Sequence, residues 1–267
     1  EDYWLWVTSG GKLLLKHRLA EPLAGRRVRI DGFNTEQLKF SYVEQFNIKD
    51  HLFTESLHEW TQNGGEWSVV NRFQCQPRWS HMNGESKNGL AAIWSKFNFK
   101  GDFCAEMYAG IRHGWYENAG DLNLTVMSRE ASPSRGYSVT CTAWDPDRSQ
   151  RFTRLYRDGQ VAVESDMYTV PRNREGKKRK GYEPLVQAGR DLHGAWYYIK
   201  FRRVGSRMEY YFDYERVFTH TEARPIDEGS LGVWTFMNSM MVARVKMAAA
   251  HIEPRRFAFA ALPAAAL

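Results

Sequence analysis

Short stretches in which apolar and polar residues alternate, punctuated by Gly, Asn, Asp and Ser, run through most of this chain. That is the period of a half-buried β-strand. In RRVRIDGF, Val28 and Ile30 face one way and Arg27 and Arg29 the other; in DLNLTVMSR, Leu122, Leu124 and Val126 oppose Asp121, Asn123 and Thr125. YWLWV and KLLLKHR predict a hairpin around Ser9-Gly10-Gly11, and RFTRLYRDGQVAVES predicts another, because Asp158-Gly159 suits a two-residue turn that needs positive φ. AWYYIKFRRVGSRMEYYFDYERVFTH predicts three strands joined at Gly205-Ser206 and at Asp213 to Glu215. LGVWTF and MMVARVKMA are expected to pair antiparallel, and LFTESLHEW is expected to form a turn or two of helix.

The stretch from Gly65 to Gly110 organises this pattern. EWSVVNR and LAAIWSKFN are expected to pair, and the chain is expected to turn back at Lys100-Gly101-Asp102 before FCAEMYAG. Between the first two strands lies a polar-aromatic excursion with Arg78, Trp79 and His81, which no core needs. It is expected to hang over one face of the sheet as part of a binding site. About fourteen short strands at near-regular spacing exceed the comfortable width of one sheet, so two stacked antiparallel sheets are predicted. The fold class is all-β, in one domain over residues 1–267, with extra edge strands in 1–42, the core in 43–250 and a tail in 251–267.

Composition adds one thing to this picture. Ten Trp, thirteen Tyr and fifteen Phe stand among 267 residues, and Trp and Tyr serve both cores and half-wet binding surfaces. Much of the formal charge of +6 lies in the run RNREGKKRK, Arg172 to Lys180. With no nucleic-acid fold signature beside it, that run reads as a solvated loop, and no nucleic-acid partner is expected. Cys75, Cys104 and Cys141 show no CxxC or zinc spacing, and an odd number argues against a disulfide framework. No apolar run reaches the length of a membrane span. The chain begins at Glu1 without a Met or a signal-like segment, which suggests processing or trimming.

The order GEWSVVNRF, NGLAAIWSKFNFKGDFCAEMYAG, DLNLTV, RLYRDGQVAVES, WYYIKFRRVGSRMEYYFD and LGVWTFMNSMMVARVKM resembles the concanavalin A-like lectin/glucanase superfamily. Within it, the chain looks like the bacterial branch of laminin-G-like and 3-keto-disaccharide hydrolase-like domains, over roughly Val43 to Met247. The resemblance implies a jelly-roll sandwich with one convex and one concave sheet, ligands on the concave face or its rim, and a secreted, periplasmic or cell-surface location. It also marks a departure. Retaining glucanases of the superfamily carry an E-x-D-x-x-E or E-x-D-x-E strand, whereas Glu106 stands alone in FCAEMYAG, and retaining hydrolysis needs two carboxyls about 5 Å apart.

Three groups of residues are candidates for chemistry. Aromatic side chains stack on the C–H faces of sugars, so Trp79, Trp94, Trp115, Tyr116 and Trp144 are expected to meet a saccharide, with Asn123 and Asn238 as hydroxyl partners. Trp67, Trp196 and Trp234 lie inside apolar strands and are assigned to the core. His81 and His113, flanked by Arg78, Arg112 and Tyr116, form a set able to abstract a proton α to a uronate carboxyl, with Tyr116 or Tyr137 as acid. Asp145 and Asp147 flank a proline and suit a hard cation such as Ca2+. The favoured reading is turn residues with no ligand, and no cofactor is expected. The expected function is carbohydrate binding; the alternative is a glycoside hydrolase or polysaccharide lyase on the same scaffold, with His81 and Glu106 in the reaction.

Overall fold

A computed structural model describes residues 3–9, 12–19, 47–51, 57–71, 80–112, 121–145, 150–165 and 196–255. The chain divides into two compact units, Glu1–Gln45 and Phe46–Leu267. In the first, β1 (Tyr3–Ser9) and β2 (Lys12–Leu19) form the expected antiparallel hairpin, with a register shift between Val7 and Thr8.

The second unit is an antiparallel β-sandwich. Its strands are β3 (Asn47–His51), β4 (Trp60–Gln62), β5 (Glu66–Asn71), β6 (Ser80–Glu85), β7 (Leu90–Ser95), β8 (Phe97–Ile111), β9 (Asn123–Ser128) and β10 (Tyr137–Asp145). They continue as β11 (Gln150–Arg157), β12 (Gln160–Ser165), β13 (Tyr197–Val204), β14 (Arg207–Phe212), β15 (Glu215–Thr221), β16 (Glu228–Phe236) and β17 (Ser239–Pro254). The first layer runs β12-β11-β10-β9-β16-β7-β4. The second runs β15-β14-β13-β8-β17, and β17 continues to β6-β5 at one end and to β3 at the other. Glu228 and Gly229 of β16 pair with β8, so β16 starts in the second layer and ends in the first.

Alternation decides what each layer buries. Leu124, Val126, Val139 and Val233 of the first layer and Phe103, Met107, Ile199 and Phe201 of the second belong to one buried apolar cluster. The cluster lies between the layers, so the remaining positions of β8, β13 and β14 point away from it. Asp158 (φ 45°) and Gly159 (φ 80°) make the predicted two-residue turn between β11 and β12.

Four expectations change. The chain does not reverse at Lys100-Gly101-Asp102: β8 runs straight through it. Gly101 (φ 77°) lies in a β-bulge, in which the partner β17 shifts register between Ala249 and His251. A Cβ on Gly101 would come within 2.9 Å of that of Ala250, so glycine is needed there. The polar segment SHMNGE is a strand, β6, and it is β6 rather than LAAIWS that pairs with β5. Its polarity hid it: Gly84 supplies no side chain because the Trp67 ring occupies that space. β16 and β17 do not pair with each other; Met237 (φ 47°) and the buried Asn238 turn the chain from one layer into the other. Residues 57–59 run directly into β4, and no helix occurs among the described residues. RRVRIDGF, the basic run Arg172 to Lys180 and residues 52–56 lie outside the described residues.

Candidate functional site

The outward face of the second layer gathers aromatic and charged side chains that the core does not claim. On β8, inward Phe103, Ala105 and Met107 alternate with Cys104, Glu106 and Tyr108, which are partly exposed. On β13, inward Tyr197, Ile199 and Phe201 alternate with Tyr198, Lys200 and Arg202. The register sets Tyr198 beside Tyr108 and Lys200 beside Glu106; on the other side of β8, Lys246 of β17 also faces Glu106.

The turn from β14 to β15 completes the group. Asp213 (φ 50°) and Tyr214 (φ 72°) both take left-handed backbone, which a bulky residue rarely adopts. The Asp213 amide donates to the Tyr198 carbonyl at 2.5 Å, which ties the turn to β13. The Tyr214 ring then lies parallel to Tyr198, with centroids 4.4 Å apart and planes 9° apart, and its hydroxyl is 2.7 Å from that of Tyr108. Tyr108 meets Tyr198 edge-on at 5.7 Å. The Tyr198 hydroxyl donates to Glu106 Oε2. Burial, with the Glu106 carboxylate at its hydroxyl, pushes the Tyr198 phenol far above the usual tyrosine range, so it remains a donor. Lys246 Nζ lies 3.9 Å from Glu106 Oε1. Just before β13, Trp196 is 37 % exposed and meets the half-buried His81 of β6 edge-on at 5.6 Å. Tyr214 is 57 % exposed. Open indole and phenol rings beside a carboxylate, an ammonium and several hydroxyls can cover an apolar ring face while bonding its polar rim.

Of the residues singled out from sequence, His81 and Glu106 come to this face, although His81 sits in a strand rather than a loop. Arg112 is exposed at the end of β8 and pairs with Glu85 at 2.8 Å. Trp196, assigned to the core, is instead half open to solvent, while Trp67 and Trp234 are buried as expected.

Four candidates are corrected by their burial. Trp94 is fully buried, its ring lying over Gly232 on the opposed strand, so it presents nothing to a ligand. Asn123 is 1 % exposed and occupied structurally: Nδ2 donates to Asp121 Oδ1 at 2.6 Å and Oδ1 accepts from the Cys141 amide at 3.0 Å. Asn238 is fully buried in the turn before β17, where its carbonyl accepts from the Ser86 amide. Tyr137 is a core residue whose hydroxyl donates to Glu222 at 2.5 Å and accepts from the Ile226 amide at 2.8 Å. Burial and the Glu222 contact push its phenol up to about 12. Arg78, Trp79, His113, Trp115, Tyr116, Asp147 and the side chains of Trp144 and Asp145 lie outside the described residues.

Cys104 and Cys141 carry free thiols, and burial pushes that of Cys141 up to about 12. Among the described residues no three His, Cys, Asp or Glu side chains gather as a metal set. No helix among them is long and apolar enough to cross a membrane.

The sequence missed Tyr108, Tyr198 and Tyr214. Two signals pointed to them: alternation in FCAEMYAG and WYYIKFRR sets Glu106, Tyr108, Tyr198 and Lys200 on one side, and DY stands where a tight turn would favour DG.

No family model matches the sequence, and no curated protein matches it. Solved structures do. A Bacillus subtilis protein of unknown function with a galectin-like fold is 11 % identical, over 79 % of this chain and 100 % of that one, with a TM-score of 0.51. The carbohydrate-binding module CBM66 from Bacillus subtilis is 19 % identical over 70 % of this chain and 94 % of that one, with a TM-score of 0.46. The metal-free exoplasmic/lumenal domain of VIP36 is 11 % identical over 73 % of this chain and 89 % of that one, with a TM-score of 0.47. The fold is a galectin-like β-sandwich. At that identity the likeness extends to the sandwich alone.

Proposed function

We propose that this protein binds a saccharide chain on the outward face of its second layer, one pyranose face stacking on the open face of Tyr214, which Tyr198 backs, and another part of the chain meeting Trp196 and His81. Glu106, Lys246 and the Tyr108 hydroxyl supply polar partners for sugar hydroxyls. The observation that carries this reading is Tyr214: an exposed ring held in a strained turn and stacked in parallel on a second tyrosine. Strain of this kind costs about 1–3 kcal/mol and persists where the surroundings enforce it, often at ligand sites. A secreted or cell-surface location suits such a partner.

The contacts of Glu106 favour binding over hydrolysis. Among the described residues they are a phenol and an ammonium rather than a second carboxyl, and a retaining glycosidase needs that carboxyl about 5 Å away.

A glycan array followed by calorimetry on the strongest binder tests the proposal. Tyr214→Ala and Trp196→Ala should each weaken binding by about 1–3 kcal/mol, the scale of a ring stacked on an aromatic side chain, while thermal melting stays close to wild type. Unchanged affinity in both variants, or reducing ends released from the bound polymer, would contradict it.

A further inference from the structure

The aromatic rows continue, along the same strands, into a surface that is strongly cationic. On β13, β14 and β15 the outward positions include Lys200, Arg202, Arg207 and Arg216, against one carboxylate, Glu209. All three arginines converge on Glu209. Arg207 reaches its Oε1 at 3.1 Å through Nε and 2.8 Å through Nη2; Arg216 lies 3.5 Å from the same oxygen and Arg202 3.5 Å from Oε2. The Tyr211 hydroxyl donates to Oε2 at 3.1 Å. Glu209 is only 9 % exposed, whereas Arg207 and Arg216 are 56 % and 52 % exposed. One sunken carboxylate therefore gathers guanidinium groups, of which those of Arg207 and Arg216 keep open faces toward solvent. On the neighbouring β8 and β17, Glu106 stands beside Lys246, and Asp102 accepts from the Gly205 amide at the far end.

Spacing ties this patch to the rings. Tyr198, Lys200 and Arg202 follow at every second residue, so the face extends about 13 Å from the tyrosines to Arg202. That is longer than one pyranose ring, so a saccharide unit seated on Tyr214 leaves room for its neighbours over Lys200 and the arginines.

We infer that the saccharide is an anionic one, a chain bearing carboxylate or sulfate groups that lie over Lys200, Arg207 and Arg216 while a ring stacks on the tyrosines. The inference rests on the binding role proposed above and adds the charge of the ligand. Arginine suits this task because its planar donors match carboxylate and sulfate oxygens and it is weakly hydrated.

The test uses the whole chain and matched polymers that differ only in charge: homogalacturonan against its carboxyl-reduced form, dextran sulfate against dextran, and poly(U) as a non-saccharide polyanion. At least one charged polymer should bind ten-fold or more tightly than its neutral match. The excess should shrink as salt rises from about 50 to about 300 mM, and the combined R207Q and R216Q variant should bring the charged-to-neutral ratio near one. Lys200→Gln alone, which leaves Glu209 and its arginines in place, should lower that ratio as well. Whether the carboxylated or the sulfated polymer leads identifies the anion. Equal affinity within both pairs overturns the inference; if Tyr214→Ala still weakens all of them, the saccharide role stands without it. Tighter binding of poly(U) than of any saccharide overturns both, as does no saccharide binding at all.

Discussion

Tyr214 combines an unfavourable backbone with an exposed ring, and the two together separate a functional from a structural reading. A two-residue turn of this kind favours glycine, so Tyr214→Gly relieves left-handed strain of about 1–2 kcal/mol and removes a stacked pair worth about 0.5–1.5 kcal/mol. These terms nearly cancel. Unfolding by urea should therefore show Tyr214→Gly within about 1 kcal/mol of wild type, while saccharide binding falls. A loss of more than about 3 kcal/mol would instead mark the ring as a structural strut. At this scale the sequence was least informative. Trp94, Asn123 and Tyr137 have the composition of ligand contacts, yet residues from other segments occupy them, and contacts between distant segments are not written in local alternation. Trp196 errs the other way: it stands in an apolar run but just ahead of β13, where the sheet no longer covers it.

Among the elements, strand pairing makes two measurable demands. Gly232 of β16 faces Trp94 of β7, and a Cβ there would come within 2.5 Å of the indole. Since Trp94 is fully buried, Gly232→Ala should destabilise the fold by about 1–3 kcal/mol, the usual cost of overpacking. A denaturation midpoint equal to wild type would show that the indole moves freely. On β14, burial pushes the Glu209 carboxyl up, but the bonds from Tyr211 and Arg207 and the charges of Arg207 and Arg202 outweigh it and hold it below the usual value. Its contribution to stability is then complete above the unfolded value near 4.3 and is lost as pH falls through the lower folded value. Glu209→Gln should be less stable than wild type at neutral pH and should narrow that gap as the pH drops below about 4. A gap that is constant across this range would show that Glu209 titrates as it does in the unfolded chain. The hairpin at Asp158-Gly159 was legible because its turn chemistry is local, whereas β6 was not, because its apolar partners lie on other strands.

Across the second unit as a whole, two layers around one apolar cluster leave two outer faces with different fates. Outward positions of the first layer, such as Asn123, Thr125 and Trp234, are buried and bonded to one another: Trp234 Nε1 donates to Thr125 at 2.9 Å and Asp121 accepts from the Phe236 amide at 2.6 Å. The second layer keeps Tyr214, Trp196, Arg207 and Arg216 open. Alternation and turn residues made the sandwich readable from sequence, but not which layer would carry an open face, since both show similar polar positions. The most direct test is to map backbone amide shifts by nuclear magnetic resonance as the strongest array binder is added. The account predicts that shifts cluster at Glu106, Tyr108, Trp196, Tyr198, Lys200 and Tyr214. Shifts confined to β7, β9 and β10, or none with any saccharide, would contradict it.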